Sequence, residues 1–145
     1  MDQQNYNITW DKEEGKSTCV LTIDGQQFIG SAFCHKKDRD MKSERTGAKL
    51  ATLRAEQKYA EHLRANAFNK LQILKKALSP LKQSTKVNKE SYEFQKIAEI
   101  LHKAEIEYIS YTKLVSEYKR AIYTYINEKE IFYRRVRALR EQRAL

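Results

Sequence analysis

The residues best able to do chemistry crowd the last third of the chain. Seven of its nine tyrosines fall between residues 88 and 143: Tyr92, Tyr108, Tyr111, Tyr118, Tyr123, Tyr125 and Tyr133. Lys119 and Arg120, then Arg134, Arg135, Arg137, Arg140 and Arg143, share the same stretch. Guanidinium forks match phosphate oxygens in pairs, and aromatic faces stack on nucleobases. Tyrosine is a poor pure core residue, because its hydroxyl needs a partner. Aromatic and arginine side chains on one helix are what a nucleotide pocket needs. The same residues also have a plainer use, with tyrosines filling a helix seam and arginines pairing with Glu130 and Glu141 or facing water. The ligand-binding candidates here are Tyr108, Tyr118, Arg120, Tyr123, Phe132, Arg134 and Arg135. Arg39 and Arg45, in a charged loop upstream, complete the set read from residue type.

Catalytic and metal readings find less support. His35, His62 and His102 lie far apart, and the adjacent Cys34-His35 pair cannot make a metal site alone. The sequence holds no glycine-rich phosphate loop, no G-x-S-x-G and no H-E-x-x-H. A catalytic set would have to be assembled between subunits. The expectation is a binding protein that is not an enzyme and uses no cofactor.

The chain has 145 residues, enough for a single domain (1–145) with a modest core. Lys and Arg outnumber Asp and Glu by 28 to 19, a net charge of +9. That surplus favours polyanionic partners, whether nucleotide, nucleic acid or phospholipid. The competing view is a helical protein that happens to be basic. Residues 1–7 are polar and predict no signal peptide, and no apolar run nears the roughly 20 residues a bilayer requires. Cytoplasmic residence with reduced cysteines and no membrane partner follows as the expectation.

What must position these residues begins with strands. Tyr6, Ile8 and Trp10 alternate with polar neighbours, as do Cys19, Leu21 and Ile23; Phe28, Gly30, Ala32 and Cys34 occupy alternate places in a third run. Asp24-Gly25 is a strong two-residue hairpin signal and sets Leu21 opposite Phe28 and Cys19 opposite Gly30. A similar turn at Glu14-Gly15 sets Trp10 opposite Cys19, Ile8 opposite Leu21 and Tyr6 opposite Ile23. Cys34 then falls opposite Gly15, so no internal disulfide is expected. Residues 1–35 thus read as a β-meander and 36–46 as a charged loop, with Ser43 or Thr46 able to cap the next helix.

Helix one is expected over 47–79, ending before Pro80, with an apolar stripe through Leu50, Leu53, Ala60, Leu63, Ala67, Leu71, Leu74 and Leu78. After a polar linker (82–86), Asn88 can cap helix two over 88–143. Steps of three and four residues there give Phe94, Ile97, Leu101, Ala104, Tyr108, Tyr111, Val115, Tyr118, Ile122, Tyr125, Lys129, Phe132, Val136 and Leu139. Only Lys129 breaks this seven-residue repeat, which reads as a coiled-coil seam. A helix of about 50 residues spans roughly 75 Å and one of about 32 only 48 Å. Helix one therefore cannot cover Phe132, Val136 and Leu139, and a homo-oligomer, a dimer or larger, is the natural cover. The fold class expected is α+β: an antiparallel three-stranded meander, then two long α-helices in an oligomeric helical hairpin.

Two stretches carry a resemblance: Phe28-Ile29-Gly30-Ser31-Ala32-Phe33-Cys34-His35, and Ser43-Glu44 followed by Gly47-Ala48-Lys49-Leu50-Ala51-Thr52-Leu53-Arg54-Ala55. They resemble small phage and prophage proteins in which a G-x-A-x-C-H strand leads through an acidic loop to a helix opening with G-x-x-L-A-x-x-R-A. Together with the meander and two long helices, the chain is similar to the Thoeris anti-defence protein 1 family. That resemblance implies an oligomeric sponge, with a hexamer among the possible assemblies, acting in an infected bacterial host cell. It would sequester a cyclic ADP-ribose isomer or cyclic oligonucleotide between subunits without cleaving it. Arg54 matches the arginine of the helix motif and joins the ligand-binding candidates; its plain alternative is a surface arginine paired with Glu44 or Glu61. The loop here is richer in lysine and arginine than the family pattern. The alternative function is a basic nucleic-acid-binding or host-inhibitory phage protein, since a meander followed by a helix also resembles double-stranded-RNA-binding folds. A structural adaptor docking another helix is a third reading.

Overall fold

The computed structural model describes residues 4–33, 44–84 and 92–144. They form strands β1 (Gln4–Asp11), β2 (Lys16–Ile23) and β3 (Gln26–Phe33), followed by helices α1 (Glu44–Ser84) and α2 (Tyr92–Ala144). The strands make one antiparallel sheet in the order β1-β2-β3. The α+β class, a three-stranded meander and two long helices, is as the sequence predicts.

The β2–β3 hairpin has the expected register, with Leu21 opposite Phe28 and Cys19 opposite Gly30. Its turn takes positive φ at Asp24 (50°) and Gly25 (80°), the backbone that Asp-Gly supplies. The first hairpin differs by two residues: Tyr6 faces Leu21, Ile8 faces Cys19 and Trp10 faces Ser17. The cause is the turn. Asp11 Oδ1 accepts hydrogen bonds from the backbone N–H groups of Glu13 (3.0 Å) and Glu14 (3.1 Å). Four residues then separate the paired Asp11 and Lys16, and Gly15 (φ 65°) closes the loop. A slip of two preserves the face of every side chain, so the apolar face survives the correction.

That face is covered by α1. Cys19, Leu21, Ile23, Phe28 and Ala32 are buried with Ala51 and Ala55, and Leu50 and Tyr59 pack at the margin. The approach is close enough that a Cβ at Gly30 would overlap the carbonyl oxygen of Ala51 and the amide nitrogen of Ala55. A Cβ at Gly47 would overlap the Ser17 side chain. Gly47, Ala51 and Ala55 recur every four residues and so share one helix face. Phe28 closes the far end, edge-on to Tyr59 at 5.2 Å.

Two compact units emerge: Met1–Tyr59 with Glu117–Leu145, and Ala60–Ser116. The first holds the sheet. The second is a helical pair with Ala60, Ala67, Leu71, Ile97, Ala104 and Val115 buried. In it Phe68 leans on Tyr108 at 5.6 Å, and Lys70 pairs with Glu107 at 3.4 Å.

Helix boundaries depart from expectation. α1 starts at Glu44 and runs through Pro80 to Ser84, 41 residues against the 33 expected over 47–79. Proline removes one N–H and crowds the carbonyl four residues back, a local defect in a ladder this long. Thr46 is therefore inside the first turn and not a cap. α2 begins at Tyr92 and has 53 residues. Near its end the covered face follows Tyr125, Lys129, Tyr133 and Val136, while Phe132 and Leu139 are 54% and 56% exposed. The strict seven-residue repeat fails there because an ordinary α-helix drifts from it by about 20° per heptad. The expectations for Cys34, His35, Ser43, Asn88 and the 82–86 linker fall wholly or partly on residues outside those described.

Gly30→Ala should cost about 3 kcal/mol by chemical denaturation, since helix backbone cannot yield like a flexible side chain. Gly25→Ala, with open space around it but φ at 80°, should cost only about 1 kcal/mol.

Candidate functional site

A cleft of about 200 Å³ opens within the sheet-bearing unit, beside the end of β1. β1 contributes Trp10, α1 contributes Gly47, Leu50 and Arg54, and α2 contributes Tyr125, Lys129, Glu130 and Tyr133. The corrected register matters here. With Trp10 opposite Ser17, the indole lies one step from Gly47, whose added Cβ would come within 3.7 Å of the indole ring.

Arg54 Nη1 donates a hydrogen bond to the Ser31 carbonyl at 2.6 Å, so the guanidinium is pinned to β3 while its residue lines the cleft. The Tyr125 ring carries two ammonium groups: Lys49 Nζ lies 4.8 Å from its centroid and Lys129 Nζ 5.5 Å. Cation–π attraction holds each lysine weakly, but the two like charges repel one another. An anion between them would relieve that repulsion. Glu130 is the carboxylate of the cleft and stands 4.0 Å from Arg137, a loose and half-exposed pair. Tyr133 is buried, edge-on to Phe132 at 5.6 Å.

Tyr125 is also a wall of a second, more open groove of about 440 Å³, lined as well by Lys49, Leu53, Glu117, Arg120 and Glu128. Its charges balance, two basic against two acidic.

The predicted site residues scatter around these features. Arg54 lines the cleft and Arg120 the groove. Tyr118 lies in the same unit, its hydroxyl donating to Glu56 Oε2 at 3.1 Å. Tyr108 belongs to the helical pair, against Phe68. Arg45, Tyr123, Phe132, Arg134 and Arg135 are exposed and line neither cavity. Arg39 lies outside the described residues. Sequence reasoning missed Trp10, assigned to a strand core, and Lys49, Tyr125, Lys129 and Tyr133. One signal was present: Lys129 is the single residue that breaks the apolar repeat of helix two.

Beside the cleft, Glu56 sets a polar cluster. Burial, then the Glu56 charge and hydrogen bond, push the Tyr118 phenol up to about 12. Burial and then Glu56 also raise Tyr6. The Cys19 thiol is raised by burial, against the opposing pull of a hydrogen bond with Thr52. Among the described residues no group of His, Cys, Asp and Glu could hold a metal ion, and no helix is long and apolar enough to cross a membrane.

A phenol whose folded pKa exceeds its ordinary 10.0 holds its proton more tightly in the folded state. Its stabilisation is intact below pH 10 and is lost as pH rises from 10 towards 12. Ultraviolet difference titration of wild type against Tyr118→Phe should show one phenol ionising near 12, and Glu56→Gln should lower that value.

Comparison with protein-family models, curated proteins and solved structures finds no match.

Proposed function

We propose that this protein binds a small anionic nucleotide in the Trp10–Tyr125 cleft and sequesters it without cleaving it. One observation carries the reading: Lys129 and Arg54 line a cleft walled by Tyr125 and Trp10, and Lys49 lies near the same Tyr125 ring from the adjoining groove. Aromatic walls take a base, and the two cations of the cleft, Arg54 and Lys129, take phosphate. Sequestration needs affinity alone, and it is the activity implied by the resemblance to the Thoeris anti-defence protein 1 family. In that role the ligand is a cyclic ADP-ribose isomer or cyclic oligonucleotide, withheld from a bacterial immune system in the cytoplasm of the infected host.

The cleft's size bears on how such a ligand is held. Pockets that enclose a drug-sized molecule run to roughly 300–1,000 Å³. About 200 Å³ takes the base end of a nucleotide and leaves the remainder open. A second copy of the chain is the cover that fits a homo-oligomer with shared pockets.

The exposed Arg134 and Arg135 favour one competing reading, in which the end of α2 binds nucleic acid. Several phosphates would then release counterions together, and binding would fall steeply with salt.

Trp10 is the only tryptophan of the chain, so its fluorescence reports directly on the cleft. Cyclic ADP-ribose isomers and cyclic oligonucleotides should be titrated in turn, and one of them should quench it with saturation and a shallow salt dependence. Lys129→Gln or Arg54→Ala should weaken that binding about tenfold, the loss of one charge-assisted contact of roughly 1.4 kcal/mol. Mass spectrometry of small molecules released from protein purified out of its host and denatured would name the ligand. Unquenched Trp10 throughout, with nucleic-acid binding that collapses as salt rises, would overturn the proposal in favour of its rival.

A further inference from the structure

The first strand is unusual in what it leaves uncovered. β1 is an edge of the sheet, and all of its residues except Trp10 are exposed. Tyr6 and Ile8 share the apolar face with Trp10, yet they are 43% and 46% exposed. Among the described residues nothing pairs with the outer edge of this strand. A free edge presents a row of N–H and C=O groups ready to accept another strand. Proteins that keep an edge free guard it with lysine, proline or a bulge. β1, with the sequence Gln-Asn-Tyr-Asn-Ile-Thr-Trp-Asp, has no lysine and no proline, and its one charge is the terminal Asp11.

We infer that β1 pairs antiparallel with β1 of a second copy, about a two-fold axis at Ile8, joining two sheets into one of six strands. The occupant follows from the strand's own chemistry. In this register Ile8 faces the partner's Ile8, Tyr6 faces the partner's Trp10, and Asn7 faces the partner's Thr9. Apolar meets apolar on the helix-covered face, and polar meets polar on the other. Aromatic pairs and β-branched pairs are the favourable cross-strand combinations. Moving the axis to Asn7 sets Trp10 against the partner's Gln4. Moving it to Thr9 leaves Tyr6 without an opposite number. A shift by an odd number would turn the apolar set of one copy towards the polar face of the other. Only the axis at Ile8 uses all three apolar residues.

Charge restricts where two copies can meet. Each copy carries +9, so two copies repel over most of their surface. β1 is an uncharged strip except at its end, and in this register Asp11 faces the partner's Asn5, not another carboxylate. Such an isologous contact closes on itself and leaves no second free edge on β1. It also adds to the cleft, because the partner's Tyr6 stands across the strand from Trp10. This extends the ligand reading above without resting on it, since the pairing follows from β1 alone.

The test uses the full chain with Cys34→Ser, so that buried Cys19 is the sole native thiol. Ile8→Cys places a thiol directly opposite its copy, and a short bis-maleimide should link it into a species of twice 17.1 kDa. Asn5→Cys, which faces the partner's Asp11, should link far less. Separately, Ile8→Lys puts two ammonium groups face to face at an already exposed position. Light scattering at micromolar concentration should then give half the wild-type mass, with the helical circular dichroism unchanged. A wild-type mass for a folded Ile8→Lys, or linkage at Asn5→Cys equal to that at Ile8→Cys, would overturn the pairing. Nucleotide titration of wild type reads the cleft independently, so either proposal can fail alone.

Discussion

The contact on which the rest of the sheet-bearing unit depends is the approach of the α1 backbone to Gly30. A helix normally stands off a sheet by the bulk of its side chains. Here glycine on the strand and alanine on the helix remove that bulk, so the backbone at Ala51 and Ala55 lies where a Gly30 Cβ would be. Such small residues bury little apolar area, and their value lies in proximity more than in transfer free energy. Because backbone cannot rotate out of the way, the contact fixes the helix both along and around its axis. Leu50 and Arg54, one residue before Ala51 and Ala55, then have no choice of direction. They reach the cleft.

That geometry gives a physical account of the G-x-x-L-A-x-x-R-A segment. Its Gly47, Ala51 and Ala55 are the face that meets the sheet, and its Leu50 and Arg54 are the neighbouring face that lines the cleft. Packing and site are interleaved along one helix turn by turn, and neither can shift without the other. Arg54 has a share in both, since it ties the Ser31 carbonyl while its charge borders the cavity. The Glu56 cluster does similar work on the other side. Its carboxylate accepts from Tyr118, and burial first, then the Glu56 charge, raises the phenols of both Tyr118 and Tyr6.

The fold was legible from the sequence because its signals are local. Alternation marked the strands, and Asp24-Gly25 fixed one register outright. The first turn was misread because Asp11, a strand-end residue by pattern, caps the following N–H groups and lengthens the loop. α1 was shortened in expectation because proline was given the force of a stop. The site was far less legible. It joins residue 10 to residues 47–54 and 125–133, and no local period links positions so far apart in sequence. Tyrosine and arginine counts pointed to the helix that walls the candidate cleft, but mostly to members of it that line no cavity. Arg134 and Arg135 are conspicuous in the sequence and face water; Tyr133, between them and Phe132, is buried. Where the seven-residue pattern and the true helical period part company, near Lys129, the pattern selects Phe132 and the structure selects Tyr133.

Charge gives the cleft its thermodynamic character. Arg54 and Lys129 line the cleft and Lys49 lies near the Tyr125 ring from the adjoining groove, which places like charges together in a chain already at +9. In the absence of an anion that arrangement is held against its own repulsion by the packing around Gly30 and by cation–π attraction. An anionic ligand reverses the sign of the local interaction, and whatever binds the folded state alone also stabilises it, by RT ln(1 + [L]/Kd). Because the cleft draws on β1, α1 and the end of α2, its occupant would tie together three elements that are distant in the chain. The sheet holds the helices in position to present the cations, and the ligand in turn would hold the helices to the sheet. On the proposed reading, in which affinity alone does the work, the interactions that tighten the complex would be those that keep the protein folded.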